Sequence, residues 1–246
     1  MIASIAAEGQ RGGRTLRQGV VQLAQERPEI VGLTGDLAKQ PDLHLFAQAY
    51  PDRFSEMGMA EQRSDGAAGG MAKEGLVVRD HLCRSAPAMR LRFHSSGAIA
   101  EEGLDVKICC ALPGLTTGYG PSHQATDDLA MMRAVLGLTV VDPCDALDIE
   151  QAAPQIAEHR GPVYMRLLRG NVPLVLDEHD YCFELGRAKL LRDGADVLAI
   201  SSGILTMRAL ETAQALAADR VDVAVLHCPT IKPLDEQTIV DAAERA

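Results

Sequence analysis

Apolar and polar positions along the chain follow two alternating periods. Apolar residues recur every three or four positions near residues 14–26, 41–50, 60–75, 123–135, 145–159, 203–219 and 235–246, which predicts helices there. Between the helices lie short apolar runs, which predict buried strands: EIVGL, VKICCAL, LTVVDP, PVYMRLL, DVLAIS and VDVAVLH. This alternation is typical of an α/β fold with a parallel sheet covered by helices on both faces. Ligands bind beyond the carboxyl ends of the strands in such sheets, so the loops after strands are the candidate sites.

The regular alternation breaks at residues 170–196, which contain Pro173, a cluster of charges and a short hairpin-like stretch. We therefore predict two domains, residues 1–172 and residues 173–246. Only two strands and two helices are predicted in the second domain, and such a unit buries little core by itself. We expect it to be a truncated part of a larger domain, or to pack against a partner.

Composition and charge narrow the class of protein. The 246 residues are 47% hydrophobic, and 34 acidic against 24 basic residues give a net charge of -10. This charge argues against nucleic acid or an anionic membrane as a partner. Neither a secretory leader nor an apolar run of about 18 residues is present, so we expect a cytoplasmic protein. The six cysteines have no metal-like spacing, and we interpret them as reduced core thiols.

An acidic residue, Glu61, stands between a short apolar strand and a small-residue helix, in FSEMGMAEQRSDGAAGGMAKEG (54–75). The simple interpretation is a first-turn acid that the helix dipole stabilises. The alternative is a carboxyl group held in a dry crevice, where it shares a proton with a ring nitrogen of a ligand. The small residues of the helix indicate close packing.

A glycine-rich loop, PGLTTGYGPSHQ (113–124), follows a predicted strand and ends with His123 at the expected start of a helix. The loop has neither the lysine nor the glycine spacing of a phosphate loop, so it does not predict a nucleotide site. His123 is either an ordinary polar residue at a helix start or, beside Glu61, an acid or base.

Two arginines, Arg166 and Arg169, stand at the end of the strand in GPVYMRLLRGNVP. They can clamp an anionic substrate group by forked hydrogen bonds, or they are a solvated strand terminus. Asp36, in LTGDLAKQ just after the first strand, is a candidate ligand contact or a helix cap.

Three strings together resemble the transketolase family, and specifically the C-terminal subunit of split transketolases. They are PDRFSEMGMAEQ, GLTTGYGPSHQATDDLAMMRAVLGLTVVDPCDA and GPVYMRLLRGNVP, and the resemblance runs in order over nearly the whole chain. It implies a pyrimidine-binding domain with a parallel sheet, followed by a partial transketolase C-terminal-like α/β domain. The implied cofactor is thiamine diphosphate, and the implied reaction is transfer of a two-carbon ketol unit between phosphorylated sugars.

The resemblance also implies roles for individual residues. Glu61 matches the glutamate that bonds the N1′ atom of the aminopyrimidine, His123 the histidine that contacts substrate, and Arg169 the arginine that binds the sugar phosphate. Asp36 and Leu37 match a D-L pair near the cofactor. Arg14 is a candidate phosphate contact whose register is open.

The chain has no GDG motif, which in the family binds diphosphate and Mg²⁺ together with a distant asparagine. The resemblance therefore implies that a separate N-terminal subunit holds the diphosphate and the Mg²⁺. We expect the active site to lie at the interface of a hetero-oligomer, with self-association of this chain as well.

Departures from the family pattern qualify this expectation. The loop at 112–120 lacks the histidine and the acid that contact ketose hydroxyls in many transketolases, so we expect substrates other than the standard pentose phosphate pair. Residues 77–97 do not resemble the family, and a charged RDH occupies the expected strand. Suitable codons for 78–84 and 91–97, shifted by one base, encode the family-like strings FVTTYA and YDFIHQ. We therefore hypothesise a local frameshift.

We interpret the chain as a subunit of a thiamine-dependent transketolase-type transferase. The alternatives are a deoxyxylulose-phosphate synthase fragment, the β subunit of a 2-oxo acid dehydrogenase, and a non-catalytic or inactive transketolase-like partner protein.

Overall fold

The computed structural model describes residues 16–35, 43–82, 97–116, 120, 123–168 and 173–245. The helices are α1 (Leu16–Glu26), α2 (Leu43–Ala49), α3 (Glu61–Lys73), α4 (described over 97–101), α5 (Asp128–Ala134), α6 (Ala146–Glu158), α7 (Leu205–Leu216) and α8 (Glu236–Ala243). The strands are β1 (Ile30–Thr34), β2 (Phe54–Glu56), β3 (Val77–Leu82), β4 (Val106–Ala111), β5 (Thr139–Val141), β6 (Val163–Leu167), β7 (Lys189–Arg192), β8 (Val197–Ser201), β9 (Val223–His227) and β10 (Thr230–Lys232).

A seven-stranded sheet forms the centre of the fold, with the strand order β10-β5-β6-β4-β3-β1-β2. Every described pairing in it is parallel except that of β10 with β5. The predicted α/β fold with a mainly parallel sheet is therefore confirmed. Its physical basis is the predominance of buried apolar residues in the inner strands, such as β4, whose six residues are all buried and include one charged residue, Lys107.

Helices cover both faces of this sheet, and each face has its own apolar core. Successive residues of a strand point to opposite faces. Ile30 of β1 and Cys109 of β4 accordingly pack in one cluster with α2 and α6. Leu33 and Ile108 of the same two strands pack in the other cluster, with α3 and α5.

The charged segment after residue 76 does form a strand. β3 pairs with β1 over Ile30↔Val77 to Thr34↔His81, and with β4 over Val78↔Val106 to Leu82↔Cys110. Val77 and Val78 are buried. The segment that contains RDH therefore forms an inner strand, although its charged residues are unfavourable for a buried strand. Residues 83–96 lie outside the described residues, so the frameshift stays a hypothesis.

Residues 189–245, here the C-terminal unit, build a second sheet of three strands in the order β7-β9-β8. The sequence predicted only two of these strands, because β7 is short and lies within the charged stretch at 170–196. The unit also contributes β10 to the edge of the first sheet, where Thr230 pairs with Val141. The C-terminal unit is therefore joined to the large sheet through backbone hydrogen bonds.

The loop between β5 and α6 also contacts the C-terminal unit. Asp142 N–H donates to the carbonyl of Pro229 at 2.8 Å, and Gly203 N–H donates to the carbonyl of Asp142 at 2.9 Å. Asp145 caps α6 by accepting from Asp148 N–H at 3.0 Å, and its second carboxylate oxygen accepts from Val175 N–H at 2.9 Å. The cap of α6, the segment 173–188 (here the linker) and the C-terminal unit therefore meet in this loop.

Candidate active site at the carboxyl edge of the sheet

Glu61 lies at the carboxyl edge of the large sheet, as the first residue of α3. The chain leaves β2 with Met57 N–H donating to the carbonyl of Thr34 at 2.7 Å, which ties the turn to the end of β1. Gly58 then adopts φ +67°, a conformation that favours glycine, and Ala60 N–H donates to Gly58 O at 2.7 Å. This tight turn ends the strand and begins the helix at Glu61.

The Glu61 side chain is partly buried, and α3 has no side-chain cap. Within the part of the chain that the structure describes, neither a hydrogen bond nor an ion pair engages its carboxylate. The arrangement leaves a carboxylate that can accept a proton or a hydrogen bond from a ligand.

Only some of the small residues of α3 are closely packed, whereas the sequence indicated close packing along the whole helix. A side chain at Gly69 would contact Ile99 at 3.6 Å and Leu104 at 3.7 Å, and Ala68 is fully buried. Gly66 and Gly70 have open space around the position of an added Cβ, so close packing does not explain them.

His123 is partly buried and lies in the loop that follows β4. Leu112, the first residue of this loop, has φ +65° although it is not a glycine and is 5% exposed. Such backbone strain in a buried residue is found most often at functional sites. Thr116 Oγ1 donates to Pro113 O at 2.7 Å, and His123 N–H donates to Gly120 O at 3.0 Å, so local bonds shape the loop.

The expected helix start at His123 is wrong, because α5 begins at Asp128. Gly114 N–H donates to Ala125 O at 2.9 Å, and Pro113 and Ala125 form a parallel bridge. This bridge draws the chain back across the end of β4 and keeps residue 125 out of a helix. His123 therefore lies on a loop five residues before α5.

Arg166, on β6, is engaged by two carboxylates. Its Nε and Nη2 donate to Asp128 at 2.9 and 2.7 Å, and its Nη1 donates to Asp142 at 3.2 Å. The exposed fractions of the three side chains are 12% for Arg166, 0% for Asp128 and 4% for Asp142. Burial by itself lowers the pKa of Arg166, but the hydrogen bonds and charges of Asp128 and Asp142 outweigh burial and raise this pKa. These contacts favour a structural role for Arg166 over an anion clamp.

The chain matches two families described as the pyrimidine-binding domain of transketolase, over residues 13–175, and the C-terminal domain of transketolase, over residues 186–246. It belongs to the transketolase family. The resemblance drawn from the three sequence strings is thereby confirmed.

Three similar proteins illustrate the membership. An uncharacterised transketolase family protein of Sinorhizobium fredii is 58% identical over 246 residues, which is 100% of this chain and 71% of the relative. A 6-deoxy-6-sulfo-D-fructose transketolase subunit of a Clostridium species is 35% identical over 225 residues, covering 91% of this chain and 70% of the relative. A solved split-gene transketolase, described as an inactive beta4 tetramer, superposes with a TM-score of 0.84 at 36% identity, covering 96% of this chain and 78% of the solved one.

Several residues assigned from the family resemblance lie outside the described residues. These are Asp36, Leu37, Arg169 and the candidate Arg14. Their roles stay predictions. The structure does place both Glu61 and His123 at the carboxyl edge of the sheet. Glu61 begins α3 just after β2, and His123 lies in the loop after β4.

Two acids of this transketolase-family chain were missed at the sequence level. Asp128 and Asp142 are the partners of Arg166, and Asp128 also accepts from the Tyr164 hydroxyl at 2.8 Å. A signal was present in the sequence, since an acid directly follows the apolar run TVV and a charged residue interrupts the apolar run of β6. Pairing these charges required the tertiary fold, because 38 residues separate Asp128 from Arg166.

Among the described residues, no group of three or more potential metal ligands is found, and no helix is both long and apolar enough to cross a membrane.

Proposed function

We propose that this chain is the pyrimidine-binding subunit of a split transketolase-type enzyme that transfers a two-carbon ketol unit between anionic sugars with thiamine diphosphate. The observation that carries the proposal is the Glu61 carboxylate. It stands at the carboxyl edge of the sheet, at a helix N-terminus, and has no protein partner among the described residues.

The residues of this chain fit the pyrimidine end of that cofactor. Thiamine diphosphate, when bound, supplies the chemistry of taking up and delivering the two-carbon unit. The Glu61 carboxylate would hold a proton at the N1′ atom of the aminopyrimidine and so fix its tautomer. His123 would bind hydroxyl groups of the sugar near the reacting carbons.

A partner subunit would complete the site. Met59, in the turn just before Glu61, is 83% exposed, and Leu115, in the loop that carries His123, is 57% exposed. Large apolar side chains on both site loops favour a surface that another subunit covers. We propose an N-terminal transketolase subunit there, which holds the diphosphate and Mg²⁺, and self-association of this chain.

The substrate would be a ketose with a terminal anionic group. Arg169 remains the candidate for that group, because Arg166 is already bonded to two carboxylates. The Clostridium relative is named for a sulfo-sugar, and the glycine-rich loop here lacks the histidine and acid of many transketolases. A ketose with a terminal phosphate or sulfonate group fits this proposal.

The domain division at 172/173 is part of the same proposal. Residues 1–172 would form the pyrimidine-binding domain, and residues 173–246 would form a C-terminal domain that packs on it through the loop between β5 and α6.

The decisive experiment is titration of thiamine diphosphate and Mg²⁺ into the chain, alone and mixed with a GDG-bearing N-terminal subunit, followed by an assay of ketol transfer. Glu61→Gln should lower transfer by about 100-fold or more, the range lost with a general acid–base group. Glu74→Gln, at the other end of α3, is the matched control and should leave transfer unchanged. Full activity of Glu61→Gln would overturn the proposal, and no cofactor binding in the mixture would favour a non-catalytic transketolase-like protein.

A further inference from the structure

Asp142 is held by the C-terminal unit at three points. Its N–H donates to Pro229 O at 2.8 Å, its carbonyl accepts from Gly203 N–H at 2.9 Å, and its Oδ2 accepts from Ser202 Oγ at 2.9 Å. Gly203 lies so close that a Cβ there would be 2.6 Å from the same Oδ2. The C-terminal unit therefore fixes both the position and the direction of this carboxylate.

Arg166 links Asp142 to Asp128, and these three charged residues form one cluster. A guanidinium group is planar and rigid, so a carboxylate that fixes one edge also orients the opposite edge. Asp142 binds Nη1, and the opposite edge binds both oxygens of Asp128. Tyr164, on the same face of β6, adds a hydrogen bond to Asp128.

Asp128, at the other end of the series of contacts from Asp142, connects to the candidate active site. Asp128 is the first residue of α5, and the segment before it runs back through the Ala125 bridge to His123. Arg166 stands three residues before Arg169 in the sequence. Both proposed substrate-binding residues thus adjoin the cluster along the chain.

We propose that Asp142 is a positioning residue through which the C-terminal unit, acting by way of Arg166 and Asp128, sets the loop that carries His123. The proposal rests on the proposed function for the identity of the bound substrate. Positioning of the loop can be measured without it. The burial of these charges supports the proposal. The side chains of Arg166 and its two acids are almost completely buried, and removing one partner of a buried ion pair is strongly destabilising.

The first test measures hydrogen exchange in the full chain for Asp142→Asn, which keeps the size of the side chain and removes its charge. His227→Gln is the matched control, because His227 lies at the same junction and its ring nitrogens lie within 3.0 Å of Thr206 Oγ1 and Asp148 Oδ2. We expect exchange in peptides covering 123–134 to rise by about tenfold in Asp142→Asn, with residues 61–73 unchanged, since such loops follow the stability of their anchors. No rise at 123–134, or an equal rise in His227→Gln, would overturn the proposal.

The second test uses the enzyme assembled with its N-terminal subunit. Asp142→Asn should raise KM for the ketose substrate by about tenfold and change kcat less, because the substrate-binding loop is displaced. Ser202→Ala should act in the same direction, whereas Ser202→Thr retains a hydroxyl and should restore KM. Unchanged KM in Asp142→Asn would contradict the proposal. An inactive wild-type enzyme would count against the proposed function, while the exchange result would still decide the positioning role.

Discussion

His227 Nε2 lies 3.0 Å from Asp148 Oδ2, and both side chains are fully buried. The same Asp148 accepts from Cys144 N–H at 2.8 Å and from the Tyr181 hydroxyl at 2.7 Å. On its other side, His227 Nδ1 lies 2.8 Å from Thr206 Oγ1. A single carboxylate of α6 therefore connects the large sheet, the linker and the C-terminal unit.

Removal of this carboxylate should destabilise the protein strongly. Asp148→Ala leaves the donors of Cys144, Tyr181 and His227 buried without an acceptor, and we expect a loss of about 3 kcal/mol or more in the free energy of unfolding. Urea denaturation measures it. The exposed control Asp219→Ala should change stability by less than about 0.5 kcal/mol. Similar values for the two variants would contradict this assignment.

A buried lysine provides a second prediction. Lys107 is 0% exposed, and its Nζ donates to the carbonyls of His159 and Gly161, each at 2.6 Å. Lys107→Met keeps the length of the side chain but leaves both carbonyls unpaired, so we expect a loss of about 2–4 kcal/mol.

The matched control for Lys107 is Lys73→Met. Lys73 is 54% exposed and pairs with Glu102 at 2.7 Å on the surface. Surface pairs contribute about 0–1 kcal/mol, so this variant should melt within a few degrees of wild type. Thermal denaturation of the two variants side by side compares a buried with an exposed ammonium group.

Alanine substitutions at two glycines should distinguish the cost of backbone strain from the cost of steric overlap. Gly203 and Gly103 have φ values of +54° and +63°, but an added Cβ contacts Asp142 only at Gly203 and has open space at Gly103. Gly103→Ala should cost about 1 kcal/mol from the backbone alone. Gly203→Ala should cost about 1–3 kcal/mol more from overpacking. Equal losses in chemical denaturation would show that the junction yields to the extra methyl group.

Thiol reactivity should follow burial. Cys182 is exposed, whereas Cys109, Cys110, Cys144 and Cys228 are buried. Burial, followed by the charge of Asp235, raises the pKa of Cys228 to about 11, and burial, followed by nearby acids, raises the pKa of Cys144 further. The neutral thiol is then the dominant form of both at pH 8.

We expect iodoacetamide at pH 8 to alkylate Cys182 first among these five, as peptide mass spectrometry would show. Labelling of Cys228 should increase as the pH approaches 11, since only the thiolate reacts. Faster labelling of Cys144 than of Cys182 would contradict the burial. Cys182 also corrects the expectation that all cysteines are core thiols.

Much of the architecture follows from local patterns. The apolar runs of β1, β4, β5, β6, β8 and β9 and the periodic segments of α1, α2, α3, α6, α7 and α8 were all predicted, because buried strands and amphipathic helices have distinct periods. β10 was not predicted, because its three residues, TIK, contain a single apolar side chain and so form no apolar run. The start of α5 was wrong because the bridge between Pro113 and Ala125 competes with helix formation, and nothing local indicates it.

The sequence by itself determined the α/β class, the family, and the position of Glu61 at a helix start just after a strand, because these depend on periodicity and on short motifs. Only the tertiary structure decided that Arg166 is a buried partner of Asp128 and Asp142, and that the C-terminal unit docks on the loop before α6. The physical reason is that charge pairing depends on which strand ends become neighbours. Residues tens of positions apart meet only when the sheet has formed.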